Sequence, residues 1–214
     1  MWNHASKTIK DAKIGVTGYS DDNMFNISAE KSLRYILKRI NIDIDYNVLE
    51  IGCGIGRIGK EISKICCHWT GLDASTKMIS FAKDYLKDHH NVTLKESSGY
   101  DLHSIPNNSQ DVVYCIVVFM HLDEWERFNY IKESYRVLKK GGVLLVNNIN
   151  LCSKQGWKLF EEHCEIKPNE RPLNISKTST QSEIVEYFKQ ADFVDIKSDF
   201  ENLWVAVSGS KSTL

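Results

Sequence analysis

No apolar run in this chain approaches the ~20 residues of a membrane-spanning helix, so no segment reads as transmembrane. The first residues, Met1-Trp2-Asn3-His4-Ala5-Ser6-Lys7, lack the apolar core of a secretion signal, and the expectation is a cytoplasmic protein. Charge of one sign is lacking too: 27 basic and 28 acidic residues leave a net charge of −1, with no dense Lys/Arg block. Without that electrostatic footprint a nucleic-acid partner is not expected. The six cysteines, Cys53, Cys66, Cys67, Cys115, Cys152 and Cys164, make no C-x-x-C pair and no Cys/His cluster at zinc spacing. Free thiols and no metal site follow. Sequons at Asn26, Asn91 and Asn174 carry no information without a secretion signal.

What is present centres on Val48-Leu49-Glu50-Ile51-Gly52-Cys53-Gly54-Ile55-Gly56-Arg57-Ile58-Gly59. A short β-branched run that ends in alternate glycines reads as a buried strand entering a tight turn and then a helix. Glycine is needed where backbone takes positive φ or where a Cβ would strike a ligand, so Gly52, Gly54 and Gly56 mark a cofactor loop. The stretch Gly54-Ile55-Gly56-Arg57-Ile58-Gly59 also fits G-x-G-x-x-G, the dinucleotide fingerprint, a weak match on its own.

At 214 residues the chain holds one domain with a sizeable core and is too short for two plus a linker. Residues 1–27 are polar and weakly periodic, yet Trp2, Tyr19, Met24 and Phe25 predict a segment folded over the mouth of the site. Ser28 is expected to cap a helix carrying Leu33, Ile36, Leu37 and Ile40 inward, and Ile58, Ile62 and Ile65 to continue a helix after the glycines. His68–Asp73 reads as a second strand whose terminal Asp73 lies 17 residues past Gly56. A carboxylate there reaches both hydroxyls of a nucleoside ribose, or caps the next helix.

Strand three is Asn91–Lys95, and Asp111–Phe119, the most hydrophobic run, is a central strand ending at Met120-His121-Leu122. A helix with Trp125, Phe128, Ile131, Tyr135 and Leu138 inward leads through Lys139-Lys140-Gly141-Gly142 into strand five, Val143–Asn148. Such alternation implies right-handed crossovers and a parallel sheet with ligands at the carboxyl ends of its strands, where Glu50, Asp73, Asp101, Ile116 and His121 fall. Residues 149–179 break the pattern and form an insertion on the ligand side. A helix near 182–190 and a hairpin from Phe193–Phe200 and Leu203–Val207 close the chain.

The E-x-G-x-G-x-G motif from Glu50 to Gly56, Asp73-Ala74-Ser75-Thr76-Lys77-Met78, the Pro106–Leu122 strand and the Val137–Val146 segment together resemble the class I S-adenosylmethionine-dependent methyltransferases. That resemblance implies an α/β, Rossmann-like doubly wound, mostly parallel seven-stranded sheet with one antiparallel strand near the C-terminal edge. Its parts are an N-terminal lid segment (1–27), a cofactor-binding core (28–148), an acceptor-side insertion (149–179) and a C-terminal helix and hairpin (180–214). It implies S-adenosyl-L-methionine as cofactor, held by Glu50, Gly52, Cys53, Gly54, Gly56, Asp73, Ala74, Ser75, Met78, Tyr100, Asp101, Leu102 and Ile116. Glu50 would hold the ammonium group, which a negative charge attracts whereas it repels a pyrophosphate.

In that family the loop after strand three meets the adenine amine, and two registers are open, Gly99 with Tyr100 or Asp101 with Leu102. Asp101 is favoured because a carboxylate accepts from an amine. Departures from the pattern are Gly99-Tyr100, Gln110 and Asn147-Asn148. No N-P-P-Y-type motif follows strand four, which points to a small-molecule or sugar-like acceptor. His121 is the candidate general base if that acceptor is a hydroxyl. The rivals are a nicotinamide oxidoreductase using Gly54, Gly56 and Gly59, and a non-catalytic cofactor-binding protein of the same fold. The sequence leaves the oligomeric state open.

Overall fold

The apolar segments around Val48, Trp69, Leu94, Val113 and Leu144 are strands because β-branched and aromatic residues fit a pleated sheet covered on both faces. In the computed structural model, which describes residues 7–172 and 174–214, they are β1 (Asn47–Ile51), β2 (His68–Asp73), β3 (Val92–Glu96), β4 (Gln110–Cys115) and β5 (Leu138–Asn150). Trp2 lies outside the described residues. The chain ends in β6 (Thr178–Ser179), β7 (Phe193–Glu201) and β8 (Trp204–Lys211). The sheet runs β3-β2-β1-β4-β5-β8-β7, with the two-residue β6 beside the end of β5. Strands β1 to β5 are parallel, and β8 is antiparallel to both of its neighbours. The expected seven strands and single antiparallel strand are therefore present, and β6 is an eighth that forms inside the 149–179 insertion.

Alternate strand residues go to opposite faces. Leu49, Val113, Leu144 and Val146 pack on one side with Ile131, Val137, Ile184 and Phe188. These come from α5 (Glu124–Val137) and α7 (Gln181–Gln190). Val48, Val112, Tyr114 and Leu145 pack on the other with Ile36, Ile62, Ile79 and Leu86. That face is covered by α2 (Asp22–Leu37), the short α3 (Gly59–Ile62) and α4 (Thr76–Tyr85). A third cluster joins Ala12 of α1 (Ile9–Thr17) and Phe25 of α2 to Ile55 in the glycine loop and to Met78. The insertion carries α6 (Lys154–Cys164).

Two expectations are corrected. Ser28 caps nothing: α2 starts six residues earlier, where the Asp21 side chain accepts from the Met24 amide, and the Ser28 hydroxyl donates to the Phe25 carbonyl at 2.6 Å. The helix expected through Ile65 is the single turn α3. The chain must bend at once into β2, and the Asn91 amide nitrogen holds that bend by donating to the carbonyls of Ser63, Cys66 and Cys67. The donor that holds this bend lies too far along the chain for a local period to show.

Gly59 opens α3 directly beneath the Trp69 indole, where a Cβ would lie 2.1 Å from Cζ2. Gly59→Ala is therefore expected to destabilise the fold by about 1–3 kcal/mol through overpacking, read as a lowered urea midpoint. An unchanged midpoint would contradict this packing.

Candidate active site

The strand order reverses between β1 and β4, and a crevice at such a switch point, beyond the carboxyl ends of the strands, is where an open α/β sheet takes its ligand. A cavity of about 500 Å³ lies there. At its floor is Glu50, 3 % exposed, at the end of β1. Its Oε2 accepts from the Tyr114 hydroxyl at 2.6 Å, and that oxygen accepts from the Trp69 indole N–H at 3.1 Å. Burial pushes the Glu50 carboxyl up to about 8, against the pull of Tyr114 and Arg57 and with the help of nearby Asp73. The carboxyl is thus poised to ionise when a cation arrives.

Asp73, at the end of β2, accepts from the Gly54 amide through Oδ2 and from the Ser75 amide through Oδ1, both at 2.8 Å. Burial raises its pKa while those two amides oppose the shift. One carboxylate therefore fastens the glycine bend to the next strand and keeps lone pairs for a sugar hydroxyl. The α4 cap is Ser75, whose hydroxyl accepts from the Met78 amide at 3.2 Å, so Asp73 is spared that task. Gly52 and Gly54, at φ +73° and +55°, line the cavity together with Cys53, Ala74, Ser75, Met78 and Ile116, all expected there.

Four expected residues lie elsewhere. Gly56 bends the chain at φ +80° but faces away, and a Cβ on it would sit 2.5 Å from Leu86 Cδ1. Asp101 does not reach the cavity: its carboxylate meets His103 Nδ1 at 2.6 Å and the Ser98 hydroxyl at 2.8 Å. Tyr100 is over half exposed and shares with Asp101 a separate outer hollow, while Leu102 is buried in the core. The cause is Gly99, which takes φ +78° and reverses the chain, while the Ser98 hydroxyl gathers the Tyr100 and Asp101 amides. The wall at that point is Ser97 and Gly99, on the Gly99 register of the loop.

Sequence reasoning missed Arg57 and Tyr114. Arg57 is buried, lines the cavity and donates through Nη1 to the Ser32 hydroxyl at 3.0 Å and the Ser28 hydroxyl at 3.3 Å. Once Glu50 is ionised the two set opposite charges in the cavity, which suits a zwitterionic amino-acid group. Its one signal was its place directly after the bend. Tyr114 had none, since inside an apolar strand it reads as core.

The rest of the lining is Val16, Val118, Met120, Leu122 and Tyr130 with His121, Glu126, Asn174 and Ser176, with Val16 against Gly54 and Val118 against Gly52. His121 lies in a 3-10 turn, Phe119–His121, and hydrogen-bonds the Asn174 backbone; burial lowers its pKa, which keeps the ring neutral at pH 7. Buried Arg127 of α5 holds this wall, donating to the Phe119 carbonyl at 2.9 Å and the Ser179 hydroxyl at 2.7 Å. The Lys177 amide donates to the Met120 carbonyl at 2.7 Å, so the insertion is laced to the turn. Among the described residues no His/Cys/Asp/Glu group could hold a metal ion.

Residues 49–146 match the family model described as a methyltransferase domain. A sterol 24-C-methyltransferase from Neurospora crassa is 35 % identical over 128 residues, 58 % of this chain and 33 % of that protein. A demethylmenaquinone methyltransferase from Listeria welshimeri is 31 % identical over 128 residues, 57 % of this chain and 52 % of that one. The chain thus spans about a third to a half of the length of these relatives. A solved S-adenosylmethionine-dependent methyltransferase from Thermotoga maritima shares the fold at TM-score 0.68 and 19 % identity, over 94 % of this chain and 98 % of that one. A (4+2)-cyclase, SpnF, shares it at TM-score 0.69 and 15 % identity, over 86 % and 82 %.

The site and these likenesses define an α/β methyltransferase domain. More particularly, residues 49–146 match a methyltransferase domain, the fold is shared with a solved S-adenosylmethionine-dependent methyltransferase, and the cofactor these likenesses imply is S-adenosylmethionine. The residues present fit that molecule. A buried acid with one hydroxyl donor suits the ammonium group, Arg57 the carboxylate, and Asp73 the ribose. The dinucleotide reading loses its second glycine, the one that lets a pyrophosphate approach, because Gly56 faces Leu86 and lies outside the cavity lining.

Asp73→Ala is expected to weaken S-adenosylhomocysteine binding by about 1–3 kcal/mol, and equal affinity in calorimetry would remove Asp73 from the site. Glu50→Gln is expected to weaken it about tenfold to hundredfold yet to stabilise the cofactor-free protein. Unfolded Glu50 loses its proton in the ordinary carboxylate range and folded Glu50 only near pH 8, so wild-type stability falls over that interval. The Gln variant escapes that loss, and its Tm at pH 8 should exceed wild type. A lower Tm would contradict the buried-acid reading.

Proposed function

We propose that this chain transfers the methyl group of S-adenosylmethionine to a small, largely apolar acceptor. The observation that carries the reading is one continuous cavity in which the acids and glycines of the strand tips meet an apolar wall of Val118, Met120, Leu122 and Tyr130. Its volume of about 500 Å³ falls within the range of small-molecule sites. The relatives' names, a sterol and demethylmenaquinone, belong to the same apolar class. This narrows the small-molecule or sugar-like expectation toward its apolar side.

When bound, the cofactor supplies a methyl group on a positively charged sulfur. The chain's task is then to hold an acceptor in line with that group and to exclude water. Val118 and Met120 provide apolar contact at the junction, and the turn bearing His121 closes one wall. For a hydroxyl acceptor, neutral His121 takes its proton; for a carbon or amine acceptor the ring orients the substrate.

The test is transfer of labelled methyl from S-adenosylmethionine to a panel of lipophilic alcohols, amines and quinols, alongside calorimetry with S-adenosylhomocysteine and NADH. Labelled product and S-adenosylhomocysteine binding are expected, with no tight NADH binding. Binding without transfer to any acceptor would favour a use of the fold other than methylation. On a hydroxyl acceptor His121→Asn is expected to cut kcat by about 10²–10⁴, and the wild-type acid limb should lie below pH 6.5, the ordinary histidine range. Unchanged kcat would exclude His121 as the base.

A further inference from the structure

A strand shows alternate side chains to opposite faces, yet Ile116, Val117 and Val118, directly after β4, all line the cavity. The backbone explains it: Val117 has φ +63°. Among the described residues the other non-glycines at positive φ are Asn108, Asp192, Asp195 and Asn202, residue types that tolerate this conformation. For a β-branched side chain it is a true outlier, retained only where the surroundings enforce it, and such outliers gather at functional sites.

The enforcing group is on the neighbouring strand. The Val117 N–H donates to Asn147 Oδ1 at 2.7 Å, and Asn147, on β5, is 2 % exposed. The left-handed turn then drops Val118 onto the glycine bend: a Cβ on Gly52 would lie 2.4 Å from Val118 Cγ2. One buried amide on β5 thereby sets the spacing between the wall that faces the acceptor and the cradle that faces the cofactor. A strand residue with an apolar side chain could not do this, since the turned Val117 N–H would lose its partner.

We propose that Asn147 is a positioning residue for methyl transfer: it holds Val117 in the left-handed conformation and so fixes the acceptor wall against Gly52. The proposal rests on the transferase reading above, and its test separates the two. The variants are Asn147→Leu, which removes the acceptor oxygen at similar volume, Val117→Asn, which tolerates the turn unaided, and the double variant.

Asn147→Leu is expected to lower kcat at least tenfold on the acceptor found in the panel, with S-adenosylhomocysteine affinity held within threefold. Val117→Asn added to it should recover most of that kcat, and Val117→Asn alone should leave Tm equal or higher. Amide hydrogen exchange on the S-adenosylhomocysteine complex gives a readout that needs no acceptor. Asn147→Leu should speed exchange over residues 116–122 while residues 52–57 stay protected. Unchanged kcat per folded molecule, affinity that falls in step with kcat, unchanged exchange at 116–122, or failure of Val117→Asn to rescue would each overturn the proposal. Loss of cofactor binding in the wild type would instead overturn the transferase reading.

Discussion

A carboxyl group shut inside a parallel sheet is the constraint on which this structure turns. Glu50 ends a strand buried on both faces, and Tyr114, backed by Trp69, gives it a single hydroxyl donor. Burying a charge without a partner is expensive, and the group answers by keeping its proton. The surroundings complete the arrangement. Glycines at positive φ keep the bend open above it, Asp73 fastens that bend through the Gly54 amide, and Arg57 sets a positive charge nearby. The site is costly when empty and repaid when a cation arrives.

Two walls of the cavity are built by different means. The cofactor wall is the sheet itself: the tips of β1 and β2, their loops, and α4 capped by Ser75. The wall that carries His121 is assembled from later pieces, a 3-10 turn and part of the insertion, gathered by the buried guanidinium of Arg127 and the amide of Lys177. Asn147 joins the two, because the turn it holds rests on Gly52.

Much of this was legible in the sequence, for physical reasons that differ by residue. The glycine bend, Asp73, Ser75 and Met78 were readable because local spacing alone decides where they sit, and the parallel sheet with its ligand edge followed from the alternation of strands and helices. Asp101 was misread because the choice weighed the chemistry of a carboxylate and not the reversal at Gly99 that turns it outward. Gly56 was assigned to the ligand although its missing Cβ makes room for Leu86. Arg57, Tyr114 and Asn147 act through partners on other elements, 25 to 64 residues away in the chain, which no window of sequence reveals. The same holds for Asn91, whose reach back to the end of α3 cut short the helix that periodicity predicted.

The most direct test of the buried-acid account is proton counting. S-adenosylhomocysteine titrated into the protein near pH 7 in two buffers of different ionisation enthalpy should release close to one proton per cofactor, fading above pH 9, where Glu50 is already ionised. In Glu50→Gln the release should vanish. Binding with no proton release by the wild type at pH 7, or an equal release by the Gln variant, would show that Glu50 is not the group that answers the cofactor's charge.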